Sequence, residues 1–160
     1  MTNQKFYDDN FVKSAVLEIA RQMQIQNFRP HYIVGLNRGG LIPGVLLSHY
    51  IERPFHPLYP NDSNVWMSED AVGLYRLDPL NILVIDDIND TGKTFTNLVE
   101  DWKTNCLPGN ERWNNVWHNS VKFAALIHNE ASTFETDYHG HTINKAENPE
   151  WCVFPWERWW

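Results

Sequence analysis

The chain has 160 residues and a formal charge of −7 with its basic residues scattered, so no basic face advertises a nucleic-acid partner. This length suits one domain, residues 1–160, around one sizeable core. The two cysteines, Cys106 and Cys152, lie far apart with no C-x-x-C pair, which argues against a disulfide scaffold or structural zinc site; no cleavable leader or membrane-length apolar run is legible, so a soluble cytoplasmic protein is expected.

In chain order, apolar residues at 11, 12, 15, 16, 19, 20 and 23 share one face at helical spacing and predict a helix over 11–23, capped by Asp8, Asp9 or Asn10. Residues 31–36 form an apolar run that reads as a first core strand. It leads through Asn37, Arg38, Gly39 and Gly40 into a helix over 41–50, with Pro43 in the first turn, where proline is tolerated. Residues 55–59 read as a second strand, and Pro54, Pro57 and Pro60 argue against its being long and central. Residues 61–79 are polar and poorly periodic. The run 82–85 is a fully apolar strand of the kind covered on both faces. A helix over 91–102 follows, burying Phe95, Leu98, Val99 and Trp102.

The later chain is more aromatic. Most of the eight tryptophans lie from residue 113 onward. Trp113 and Trp117 fall four apart in an odd segment, 105–120, expected to pack on an edge or on a partner subunit. Residues 121–127 predict another strand, delivering His128, Asn129 and Glu130 to the edge where ligands gather in open α/β sheets. Two histidines, His139 and His141, flank Gly140 near Asp137. They suggest zinc but lack a convincing third ligand, so a loop is expected over 134–149. Residues 151–156 read as an edge strand. The aromatic end, 157–160, suggests a subunit contact.

The chemistry concentrates in Asp86, Asp87, Asp90, Thr91, Gly92, Lys93 and Thr94. Free backbone N–H groups at the start of the next helix suit a phosphate, Thr91 and Thr94 add hydroxyl donors, and Gly92 permits a tight backbone. Asp86 and Asp87 would repel an anion, so they make sense facing a divalent metal or the hydroxyls of a sugar. A nucleotide P-loop is excluded because it needs glycine where the chain has Asp87. A solvated turn with an acidic helix cap remains the bland alternative. At Asn37–Gly40, two glycines let the backbone approach an anion and Arg38 adds a fixed positive fork; an ordinary turn with a surface arginine is the alternative.

The stretch IDDINDTGKT, with RGG at 38–40 and WCVFPW at 151–156, resembles the type I phosphoribosyltransferases, in particular xanthine-guanine and archaeal-type hypoxanthine enzymes. The resemblance covers residues 10–104 and 120–157. It implies a Rossmann-like, mostly parallel five-stranded sheet with helices on both faces, and a small hood formed by terminal segments, mainly 129–160. It implies transfer of the 5-phosphoribosyl group of PRPP to a 6-oxopurine, releasing pyrophosphate.

By that resemblance Asp86 and Asp87 lie by the ribose hydroxyls and Mg²⁺, which arrives largely with PRPP or pyrophosphate. Asp90 meets N7 of the base, and Asp90–Thr94 hold the 5′-phosphate. Asn37, Arg38, Gly39 and Gly40 hold pyrophosphate, on a backbone that can include a non-proline cis peptide. Trp151 stacks on the purine and the backbone near Cys152 reads its edge. A mobile lid is implied within 61–79. The family's lysine for the oxygen at C6 is missing; His128 with Asn129 is the best match to its position. A homodimer or homotetramer is implied. A non-catalytic PRPP- or nucleotide-sensing regulator and an enzyme for another nucleobase are the competing readings.

Overall fold

The computed structural model describes residues 3–59, 62 and 64–158. The elements run β1 (Asn3–Phe6), α1 (Asp9–Ile25), β2 (Tyr32–Leu36), α2 (Leu41–Ile51), β3 (Phe55–Leu58), α3 (Val65–Val72), β4 (Ile82–Asn89), α4 (Lys93–Asp101), β5 (Val121–Asn129), β6 (Tyr138–Ile143) and β7 (Glu150–Val153). Five strands form one sheet in the order β3-β2-β4-β5-β6, and every pairing in it is parallel. The expected Rossmann-like sheet is therefore present. β4, with the acidic pair, is its central strand.

The apolar runs are near-continuous because both faces of the sheet are covered. Along β4, Leu83 and Ile85 face one core with Val12, Val16, Ile19 and Met23 of α1. Ile82 and Val84 face the other, with Phe95, Leu98 and Trp102. α1 starts where the Asp8 carboxylate accepts the Phe11 N–H at 2.8 Å, a cap of about 1 kcal/mol. β3 is an edge strand, as its prolines require.

Four expectations are corrected. β4 continues past Ile85 through Asp86 and Asp87 to Asn89, so the acidic pair sits on the strand rather than in the loop after it. Within 61–79, α3 buries Met67, Ser68, Ala71 and Val72, because four short-range helical positions suffice to cover Tyr32 and Leu58. The tryptophans of 105–120 pack inward: Trp113 and Trp117 stack with centroids 5.1 Å apart beside Trp102, which lies in a π-helical turn over Trp102–Cys106. They fill the chain's own core, where no strand or helix face would otherwise cover the end of α4. Finally, Tyr138–Ile143 is the outer strand of the main sheet, not a loop, with Tyr138 buried beneath α1.

A second, two-stranded parallel sheet pairs β1 with β7 and joins the two ends of the described chain. Pro60 and Asn61, which entered the expectations for the second strand and the lid, and the terminal Trp159–Trp160 pair lie outside the described residues. Both cysteines are buried and unpaired. Among the described residues no helix is long and apolar enough to cross a membrane.

Candidate active site

The carboxyl ends of β2, β4 and β5 bring three loops to one edge. After β2, the chain turns through Asn37–Gly40, and the Asn37–Arg38 peptide is cis. The Gly40 N–H donates to the Leu36 carbonyl at 2.8 Å and starts α2. A Cβ on Gly40 would strike the Ile85 carbonyl, and one on Gly39 would fall inside the Asp87 carboxylate. The glycines are there because this loop lies flat against the end of β4. Arg38 is exposed, and among the described residues it makes no ion pair.

Asp86 and Asp87 are both partly covered. Asp86 Oδ1 accepts the Asp87 N–H at 2.9 Å, and Asp87 Oδ1 accepts the Ile88 N–H at 2.8 Å. Burial pushes both carboxyls above their ordinary range, and for Asp86 the charge of Asp87 adds to it. No cationic side chain among the described residues pairs with either, so the pair is a site of uncompensated negative character.

Beyond β4 the chain curls around a cavity of about 190 Å³ lined by residues 86–95. Gly92 has φ +92°, where a side chain is strained, and a Cβ there would collide with Phe134 and Ser132 of the turn after β5. The Lys93 N–H is bonded by the Thr91 hydroxyl at 3.2 Å, and Thr91, Lys93 and Thr94 are exposed at the start of α4. The cavity, the helix start and the hydroxyls together are a geometry that suits an anion.

At the third loop the His128 side chain is turned inward: it is 5% exposed, with Nδ1 3.1 Å from Asn89 Nδ2 and Nε2 3.6 Å from Glu135. Asn129 is also buried and saturated. Its Nδ2 donates to the Asp90 carbonyl and carboxylate at 2.9 and 3.2 Å, and its Oδ1 accepts the Ala131 and Lys145 N–H groups. It is a bracket that joins the Asp90 loop to the strand β5 and to the turn after β6.

That turn supplies the residue the sequence reading missed. Lys145 Nζ donates to Asp90 Oδ2 at 2.9 Å and stands 6.0 Å from the centre of the Trp151 ring. Trp151, on β7, is exposed, whereas Cys152 beside it is buried. Lys145 is 55 residues from Asp90 in sequence, and nothing in its local pattern NKAEN points to a site. Only the return of β6 and β7 to the sheet edge places it there.

The His139 ring stacks on His128 at 5.2 Å, and among the described residues no group of three or more His, Cys, Asp or Glu side chains is arranged to hold a metal ion.

No protein-family model matches the chain. It is 19% identical over 182 residues to the hypoxanthine-guanine phosphoribosyltransferase of Schizosaccharomyces pombe, spanning 95% of this chain and 88% of that one. Among solved structures it is similar to a purine phosphoribosyltransferase from Pyrococcus horikoshii (22% identity, TM-score 0.67, 99% and 96% of the two chains). It is also similar to a xanthine-guanine-hypoxanthine phosphoribosyltransferase from Helicobacter pylori (20%, 0.67, 97% and 94%). A Neisseria gonorrhoeae protein with bound ppGpp is comparably similar (19%, 0.64, 99% and 92%). The fold is that of the type I phosphoribosyltransferases.

Proposed function

On that fold, we propose that the chain is a purine phosphoribosyltransferase: it moves the 5-phosphoribosyl group of PRPP to a 6-oxopurine, hypoxanthine, guanine or xanthine, and releases pyrophosphate. The observation that carries this reading is the meeting of Asp90, Lys145 and Trp151. An exposed indole face stands beside a carboxylate and an ammonium held 2.9 Å apart. A flat heterocycle stacks on the indole. The carboxylate accepts a ring N–H, and the ammonium, which only donates, favours a carbonyl oxygen over an amino group.

The remaining groups divide the sugar phosphate among them. Asp90–Thr94 seat the 5′-phosphate through backbone N–H groups and hydroxyls. Asp86 and Asp87 face the ribose hydroxyls, and their negative character favours the positive charge that develops at C1′ as the bond to pyrophosphate breaks. Arg38 and the flat backbone of Asn37, Gly39 and Gly40 receive the departing diphosphate. The base loses its ring proton toward Asp90 as its nitrogen bonds to C1′. Cys152 contributes backbone beside Trp151. Binding energy at the remote phosphate helps orient the reacting carbon.

Mg²⁺ fits this centre as an ion carried in by the diphosphate. Two carboxylates whose ionisation is opposed by burial, with no protein cation beside them, gain from a divalent ion whose other ligands are substrate oxygens. Asp86 and Asp87 would hold it, and it would neutralise the leaving group. The 129–158 segment with β1 forms the hood over the base, within one domain. The chain works in the cytoplasm, and it assembles with a second copy, because α2 leaves Ile42, Val45 and Tyr50 exposed on one side.

The test is product formation from PRPP and Mg²⁺ with hypoxanthine, guanine, xanthine, adenine, uracil and orotate. One or more oxopurines yield the nucleoside monophosphate, and Asp90→Asn slows turnover far more than it weakens PRPP binding. Product from uracil or orotate alone replaces the base assignment. Silence with every base, while PRPP still binds by calorimetry, overturns catalysis in favour of a nucleotide sensor, the reading that the ppGpp-bound relative favours.

A further inference from the structure

Behind the phosphate seat lies a buried polar network that substrate chemistry does not use. The turn after β5 rests on the seat itself. Thr133 donates to the Thr91 carbonyl through its N–H at 3.0 Å and through its hydroxyl at 2.9 Å, and Ser132 and Phe134 lie where a Gly92 side chain would be. That turn is held from behind by Asn89. The Asn89 amide donates to the Phe134 carbonyl at 2.6 Å, and its Oδ1 accepts from the Ser132 hydroxyl at 3.1 Å. Its remaining N–H points at His128 Nδ1, 3.1 Å away. Asn89 is 2% exposed, so water does not substitute for a lost partner.

This pattern fixes the imidazole. Turning the Asn89 amide over would set its oxygen against the Phe134 carbonyl, so the amide orientation is determined, and both its hydrogens are committed. His128 Nδ1 must therefore be the bare acceptor, and Nε2 carries the hydrogen, toward Glu135. A protonated ring would put an N–H against an N–H inside the protein, where an unsatisfied donor is costly.

We propose that His128 is a positioning residue for the phosphate seat. Through its bare Nδ1 it holds Asn89, which holds the 132–134 turn, which holds Thr91 and Gly92 in register for an anion. The inference rests on reading residues 90–94 as a phosphate seat. The ionisable groups around the ring are Glu135 on the turn, exposed to water; His139, stacked on its face, and His141, both on β6; and Glu18 on α1, near His139. Burial, and then the neighbouring His128, holds His139 below the usual histidine range.

The experiment compares the native chain with His128→Asn, whose Oδ1 takes the place of Nδ1, and with His128→Leu, which offers no acceptor. Calorimetric affinity for Mg-PRPP is measured for all three. His128→Asn keeps an affinity close to the native one, while His128→Leu binds about tenfold more weakly. In parallel, the Gly92 and Thr133 amide resonances are followed by ¹⁵N NMR without ligand. They keep their native positions in His128→Asn and shift in His128→Leu.

Weakened binding by His128→Asn equal to that of His128→Leu, or native-like binding by His128→Leu, overturns the proposal. If no form binds PRPP, the functional reading fails, and the ligand-free amide shifts alone decide whether His128 governs the turn: native-like shifts in His128→Leu overturn it.

Discussion

Asp90 is bonded on one side by Asn129 and on the other by Lys145, so its carboxylate is aimed before any ligand arrives. Lys145→Met should lower kcat/KM for the preferred oxopurine by at least about tenfold, the loss of one charged donor, and narrow the gap to adenine. An unchanged base ranking in the product assay would remove Lys145 from base recognition. Gly92→Ala meets both a positive φ and the Phe134 backbone. It should raise the Mg-PRPP dissociation constant more than it lowers the melting temperature, because the strain of about 1 to 3 kcal/mol falls on the seat itself. His118 gives a titration prediction outside the candidate site. Its Nδ1 lies 3.0 Å from Asp137, and that bond raises its pKa. The folded state therefore holds the proton more tightly than the unfolded chain. The stabilisation is complete below the unfolded value and is lost as pH rises through the folded one. Urea titrations of His118→Gln should differ from the native chain most at low pH and converge at high pH.

At the scale of elements, α4 and the turn behind it depend on aromatic packing. Trp113 is buried, stacks on Trp117 with planes 5° apart, and donates its indole N–H to the Leu107 carbonyl at 3.0 Å. Trp113→Ala should cost about 3 to 5 kcal/mol in denaturant unfolding. A cost near zero would mean that 105–120 is a surface appendage, as an edge or interface segment would be. Much of this level was legible beforehand. The α1 stripe at 12, 15, 16, 19, 20 and 23 is the stripe that is buried. Short segments misled where period says little: Val65–Val72 is too brief to show helical spacing among its polar neighbours, and Tyr138–Ile143 is a strand because β5 offers it a free edge, not because its own residues alternate.

For the whole molecule, ligand linkage is the direct test. Mg-PRPP at about a hundred times its dissociation constant should stabilise the fold by about 2.7 kcal/mol, seen as a higher melting temperature. PRPP without Mg²⁺ should do less, since two ill-compensated carboxylates face the same cleft. Val45→Lys, on the exposed side of α2, should shift the chain to monomer in sedimentation while leaving its circular dichroism unchanged; a native chain that is already monomeric overturns the assembly proposal.

The loop proposed as the phosphate seat, the acidic pair and the glycine-rich turn were readable in the sequence because each is a local device. A backbone loop at a strand end needs its glycines, hydroxyls and carboxylates in consecutive positions, and their order survives any tertiary arrangement. What only the tertiary structure decided is which distant side chains complete the site. Lys145 reaches Asp90 because β4, β5 and β6 run parallel and bring their carboxyl ends to one edge, and His128 meets Asn89 because β5 pairs with β4 in that register. No spacing along the chain encodes that meeting. The proposed base edge is built from segments contiguous only in space, whereas the proposed phosphate end is built from one segment contiguous in sequence.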